Sequence, residues 1–201
     1  MSRSSRRHST RGFTLVESMA VVTIIGILAA LSVSGIGSRV QASKTAEAML
    51  GVGRMAKDAS AAYDRNNAPS TVSTKKNAPG DRRLCTSASR TVPQKVKNIK
   101  GTKYQSSPSE WNQDSGTTGK GFACLRFSMQ GPQYFQYRYK TNKTNFDNTW
   151  KSGTTFEAAA IGDLDGDGIR SLFTLSGEIV DSSNGLELVV APAIAVDSAE
   201  E

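Results

Sequence analysis

Apolar residues fall along this chain in three rhythms. Over 13–36 they are nearly continuous, interrupted by a single charge, Glu17. Wound as a helix at about 1.5 Å per residue, this stretch reaches roughly 36 Å, enough to cross a bilayer core of about 30 Å. Over 42–63 the rhythm is helical, because Ala42, Ala46, Met49, Val52, Ala56, Ala59 and Tyr63 recur every three or four residues and form one stripe. A polar run rich in Asn, Ser, Thr and Pro follows at 66–79 and reads as a loop. Beyond it the period shortens to two. Ala123, Leu125, Phe127 and Met129 alternate within 122–129, and Phe135, Tyr137 and Tyr139 alternate in the next segment. Short runs at 155–161, 171–175 and 186–191, bounded by Gly, Asp or Ser, complete five candidate strands.

These rhythms predict an α+β architecture. One long helix over 13–64 lays its amphipathic half on an antiparallel sheet of four to five strands. The stem, 13–36, needs a membrane or an apolar bundle around it, while 65–201 is long enough for one β-rich head with its own core. Small residues dominate the helical stripe, and Gly51 and Gly53 each weaken the local helix by up to about 1 kcal/mol, so packing must hold that half in place.

Glu17 is the chemical oddity. A carboxylate within a bilayer-length apolar segment costs roughly 2.5 to 3.5 kcal/mol on insertion scales and calls for a partner. A basic leader precedes it, with Arg3, Arg6, Arg7 and Arg11, then Gly12 and Phe13. Two plain readings exist. One is a secretory signal peptide with 19–31 as its apolar centre and Ala30-Leu31-Ser32 as its cleavage site. The other is an uncleaved anchor over 13–36. Neither accounts for Glu17 or for Gly12. The arginines place the N-terminus in the cytoplasm by the positive-inside rule.

The run Arg11-Gly12-Phe13-Thr14-Leu15-Val16-Glu17, with the apolar stretch behind it, resembles the processing site of a type IV prepilin. The resemblance implies removal of 1–12 by a prepilin peptidase that cuts between Gly12 and Phe13 and methylates the new amino terminus at Phe13. It also implies that Glu17 meets a subunit's cationic terminal amine during assembly, an electrostatic pairing suited to an apolar bundle. The implied partners are that peptidase and methyltransferase, other pilin subunits in a helical filament, and the assembly machinery of the inner membrane. The implied location is a single-pass inner-membrane precursor that later becomes an extracellular pilus serving motility, adhesion or DNA uptake. A pseudopilin of a type II secretion system shares the stem and would form a short periplasmic fibre. A membrane-tethered calcium- or polyanion-binding module that never polymerises is a third reading. Many type IV pilins carry proline near the position of Ser34; here Gly35 and Gly37 stand nearby as sources of flexibility.

An exported chain also suits Cys85 and Cys124, its two cysteines. A disulfide between them closes a loop of about 40 residues, worth roughly 4 kcal/mol by chain entropy. The only histidine, His8, lies in the leader, and no nucleophile motif or phosphate loop is present, so no catalysis is expected.

Asp163-Leu164-Asp165-Gly166-Asp167-Gly168 resembles the first half of a calcium-binding loop, in which Asp163, Asp165 and Asp167 supply hard oxygen ligands and a backbone carbonyl such as that of Ile169 completes the shell. The second half is missing, since an EF-hand-like loop would place a glutamate at Thr174. The same residues also suit a tight hairpin turn, with glycines at positive φ and aspartates bonding local amides. Calcium is the one cofactor the sequence suggests.

Charge is unevenly spread. The whole chain carries +7, and loss of the four leader arginines leaves 21 basic and 18 acidic residues, or +3. Residues 13–155 hold 20 basic and 8 acidic residues, while 156–201 hold 1 and 10. Opposite patches of this kind either join neighbouring subunits or simply face water. Lys75, Lys76, Arg82, Arg83, Arg90, Lys95, Lys97, Lys100 and Lys103 crowd one stretch with only Asp81 against them. They suit nucleic acid or an acidic polysaccharide, or a solvated surface.

Overall fold

A computed structural model describes residues 12–65, 83–146, 150–183 and 185–198, with the side chains of 33–38 excepted. The leader arginines, the 66–79 run, Lys75, Lys76, Asp81, Arg82 and the Ser34 side chain lie outside this description. The chain divides into two units, Met1–Val40 and Gln41–Glu201.

Helix α1 spans Leu15–Arg65 and begins in the first unit. There, Leu15–Ser32 has a mean hydropathy of 2.1 and is exposed throughout its length. Its hydroxyls do not spoil this apolar surface. Thr23 and Ser32 donate to the carbonyls of Met19 and Leu28, one turn back, each at 2.8 Å, so their polarity is satisfied within the helix.

In the second unit the sheet comprises β1 (Phe135–Thr141), β2 (Thr155–Gly162), β3 (Ser171–Ser182), β4 (Gly185–Val190) and β5 (Ala195–Asp197). All pairings are antiparallel in the order β1-β2-β3-β4, and β5 pairs with β3 ahead of β4. One cross-strand row runs Tyr137, Ala160, Phe173, Val196; the next, on the opposite face, runs Arg138, Ala159, Thr174, Ala195. Aromatic and aliphatic side chains of the first kind of row form the core with the C-terminal half of α1. The α+β, pilin-like architecture therefore holds, with an antiparallel sheet of five strands on which the helix packs.

The helix turns a slightly different face to the sheet than the stripe predicts. Ala48, Val52, Met55, Ala56, Ala59, Ala62 and Tyr63 are buried, whereas Ala42, Ala46 and Met49 are exposed. The cause is Tyr137, whose ring lies directly on the helix backbone at Gly51. A Cβ there would sit 2.5 Å from Tyr137 Cε1. Gly51 is thus a packing residue and Gly53, with open space around it, is not. Gly51→Ala is expected to lower stability by about 1 to 3 kcal/mol through overpacking, more than offsetting the roughly 1 kcal/mol gain in helix propensity. Gly53→Ala is expected to raise it by up to about 1 kcal/mol. Chemical unfolding of the two variants should show opposite signs; a shared sign would refute the close approach.

The predicted strand over 122–129 is a correction. Gly121–Leu125 forms the short helix α3, closed by Arg126 in the left-handed region at φ 64°, and the rest is irregular. Burial follows Phe122, Leu125 and Phe127, and the alternation was too short to separate the two periods. Trp111 gathers these rings, with Phe122 at 5.1 Å and Phe127 at 5.4 Å between centroids in edge-on contact. It lies at the end of α2 (Pro108–Trp111), where the Glu110 carboxylate accepts the Ser107 amide at 2.7 Å. A buried polar chain runs beneath: Trp111 Nε1 donates to Ser106 Oγ, Ser106 Oγ to Gln133 Oε1, and Gln133 Nε2 to the carbonyls of Val92 and Phe135. Each polar group there finds a partner, as burial demands.

Candidate functional site

Gly12, Phe13 and Thr14 precede α1 in no regular element. Phe13 is 76% exposed, and among the described residues nothing lies within 4 Å of a Cβ built on Gly12. Thr14 starts the helix. Its Oγ1 accepts the Glu17 amide at 3.3 Å, and its carbonyl accepts the Ser18 amide at 3.1 Å. Thr14-Leu15-Val16-Glu17 has the spacing of a capping box, a signal the sequence reading passed over. Glu17 therefore stands in the first turn, at the positive end of the helix dipole, for local reasons too. Its carboxylate is exposed and has no ion pair among the described residues. Cleavage after Gly12 would create a cationic amine at Phe13, four residues before this carboxylate.

Cys85 and Cys124 are joined by a disulfide with their Cα atoms 5.8 Å apart. The bond links the segment entering the head to α3. The carbonyl of Cys124 accepts from Arg65, the last residue of α1, at 2.6 Å, and that of Cys85 accepts from Tyr139 Oη at 3.1 Å. Helix end, disulfide and β1 are thereby one connected unit.

Of the basic cluster, Arg90, Lys95, Lys97, Lys100 and Lys103 are exposed around the 3₁₀ turn Val96–Ile99. Lys103 has a local role: with Lys44 it flanks the Tyr134 ring, each ammonium about 5 Å from the centroid. Beside them Glu47 accepts the Tyr134 amide at 2.8 Å. Burial raises its carboxyl above the ordinary glutamate range, and that amide and Lys103 oppose the rise. Glu178, Asp181 and Glu187 of the acidic portion are exposed on β3 and β4. An ion pair between Arg138 and Glu157 joins β1 to β2.

The aspartate run lies in the connection from β2 to β3, and the structure brings its three carboxylates together. One oxygen from each of Asp163, Asp165 and Asp167 lies within 4.8 Å of the other two. Asp165 Oδ1 accepts the Asp167 amide at 3.1 Å, and Asp167 Oδ1 accepts the Ile169 amide at 2.6 Å. Gly166 and Gly168 take φ of 84° and 104°, values that L side chains rarely adopt. From outside the turn, the Gly101 amide donates to the Asp163 carbonyl at 2.8 Å. That long-range bond had no signal in the sequence.

Residues 7–33 match the prokaryotic N-terminal methylation motif. The chain thus carries the class III signal of type IV prepilins, which supports a pilin-like or pseudopilin substrate of prepilin peptidase. The motif indicates a structural protein that assembles with other pilin subunits, and the one helix long and apolar enough to cross a membrane among the described residues, Leu15–Ser32, is consistent with a membrane-anchored precursor. No curated protein and no solved structure matches the chain.

Proposed function

We propose that the chain is a structural subunit of a type IV pilus-like filament. It is inserted in the inner membrane with its N-terminus in the cytoplasm, cut after Gly12, methylated at Phe13 and packed through α1 into an extracellular fibre for motility, adhesion or DNA uptake. The observation that carries this reading is the coincidence of the methylation motif with a helix apolar on every side. Met19, Val22, Ile24, Ile25 and Ile27 point to different sides of Leu15–Ser32 and all are exposed. A helix hydrophobic all round belongs in lipid or in a bundle of its own kind. The precursor has the first and a filament supplies the second. Contact with nucleic acid or an acidic polysaccharide would fall to Arg90, Lys95, Lys97 and Lys100, whose clustered charge suits a polyanion.

The test is the intact mass and N-terminal sequence of the protein from cell membranes and from sheared surface fibres. A chain that starts at Phe13 with about 14 Da of added mass, present in the fibres, is the expected result. The same mature chain confined to the envelope, with protein export lost on deletion, would mark a type II pseudopilin instead. A retained leader, or a start near Val33, would overturn the reading.

A further inference from the structure

We propose that the β2–β3 connection binds one calcium ion through Asp163, Asp165 and Asp167. The decisive residue is Asp163. It is only 3% exposed, and its Oδ1 is buried without a hydrogen-bond partner. A buried carboxylate oxygen with unsatisfied lone pairs is costly, and folded proteins supply a donor or a cation for it. Asp114, 8% exposed in the same head, has both: the Ser89 amide at 2.9 Å and Lys120 at 3.9 Å. Among the described residues Asp163 has neither an amide nor a cation on its Oδ1, and its side chain faces two further carboxylates instead. Ser171 Oγ, another buried oxygen without a partner, belongs to the residue paired with Gly162, next to Asp163 in the chain.

The geometry suits calcium in particular. Ligand oxygens sit about 2.3 to 2.6 Å from Ca²⁺, so opposite ones stand up to about 5 Å apart, a sphere that accommodates the 4.8 Å span of the three oxygens. An all-oxygen donor set with no sulfur or imidazole selects a hard cation. Asp165 and Asp167 each spend one oxygen on the turn's own amides, which fixes their position and leaves the other oxygen for the ion. No lysine or arginine neutralises the three by an ion pair among the described residues, although Lys100 Nζ approaches Gly168. The ion would also act at a distance in sequence. By fixing Asp163 it would hold the carbonyl that receives the Gly101 amide, and so fasten the segment after the 3₁₀ turn to the sheet.

The test is titration of CaCl₂ into the full chain, purified in detergent and stripped with EGTA, followed by calorimetry and by the thermal midpoint. One saturable site is expected with a Kd of about 10⁻⁴ to 10⁻³ M, and MgCl₂ at least about tenfold weaker. Calcium should also raise the midpoint. Asp163→Asn should remove binding. Asp165→Asn and Asp167→Asn keep the Oδ1 acceptors of the turn and lose only charge, so each should weaken calcium about tenfold or more while the head stays folded in EGTA, with a midpoint no lower than the parent's. These two exposed variants decide the matter even if Asp163→Asn fails to fold. Absence of a saturable calcium heat, or equal binding by the two variants and the parent, would overturn the proposal and leave a plain hairpin turn. Neither result bears on filament assembly, because the measurement needs no fibre.

Discussion

Glu17→Ala is expected to leave the head folded and the precursor processed, and to remove the chain from filaments. The substitution relieves roughly 2.5 to 3.5 kcal/mol of insertion cost, so the membrane stage gains. What disappears is the counter-charge for a terminal amine inside an apolar bundle. Breaking a buried pair by deleting one partner costs about 3 to 5 kcal/mol, and even 3 kcal/mol is more than a hundredfold at each subunit addition. Mature, methylated chain should then accumulate in the membrane while surface fibres lack it, as mass spectrometry of the two fractions would show. The capping role predicts something else. If Glu17 served only the first turn after Thr14, its loss would cost about 1 kcal/mol, and Glu17→Gln, which suits a capping box, would behave as the parent. Wild-type incorporation of both variants would therefore sink the charge-pairing account.

Replacing Cys85 and Cys124 together by serine is expected to cost the head about 4 kcal/mol, given the 39-residue separation. Against a total stability of about 5 to 15 kcal/mol this is a large share. For a domain of this size it corresponds to a fall of roughly 8 to 16 °C in the thermal midpoint. The effect should be felt first at the junction of α1, α3 and β1, where the Cys124 carbonyl holds Arg65 and the Cys85 carbonyl holds Tyr139. Thermal unfolding of the oxidised, reduced and double-serine chains makes the comparison. A loss below about 1 kcal/mol would mean that those hydrogen bonds and the Trp111 cluster hold the junction by themselves.

The long helix was legible because two different apolar rhythms meet in it without a break, and most of the sheet because Gly, Asp and Ser bound each run. The face of the helix was less legible. Ala42, Ala46 and Met49 fit the period, but the seat of the Tyr137 ring on Gly51 decides which side is buried. In 122–129 the alternation was real in the letters and absent in the backbone, since Trp111 and the disulfide draw Phe122, Phe127 and Cys124 in directions that a strand could not serve. Ser107-Pro108-Ser109-Glu110 carries the cap spacing of a helix start, yet no helix was predicted there. At three residues, β5 was too short to announce anything. In the candidate sites, the aspartates were visible as a group. The burial of Asp163 and its tie to Gly101 depend on residues some sixty positions apart, which no local pattern encodes.

The arrangement around β3 bears on how such a chain avoids the wrong kind of polymer. One edge of β3 pairs with β2; the other is shared by β5 at 172–174 and β4 at 177–182, with the Ala191 amide bonded to the Ser176 carbonyl between them. The far side of β1 is occupied by Val92 and Ala88, which bond to Tyr137 and Tyr139. Among the described strands this leaves the outer margin of β4 and β5 uncovered, in pieces of six and three residues separated by a stretch containing Pro192. Margins so short and so interrupted are poor templates for a foreign strand. Crowded copies of this head have little means of zipping into amyloid-like ribbons, and self-association is left to the one helix built for it.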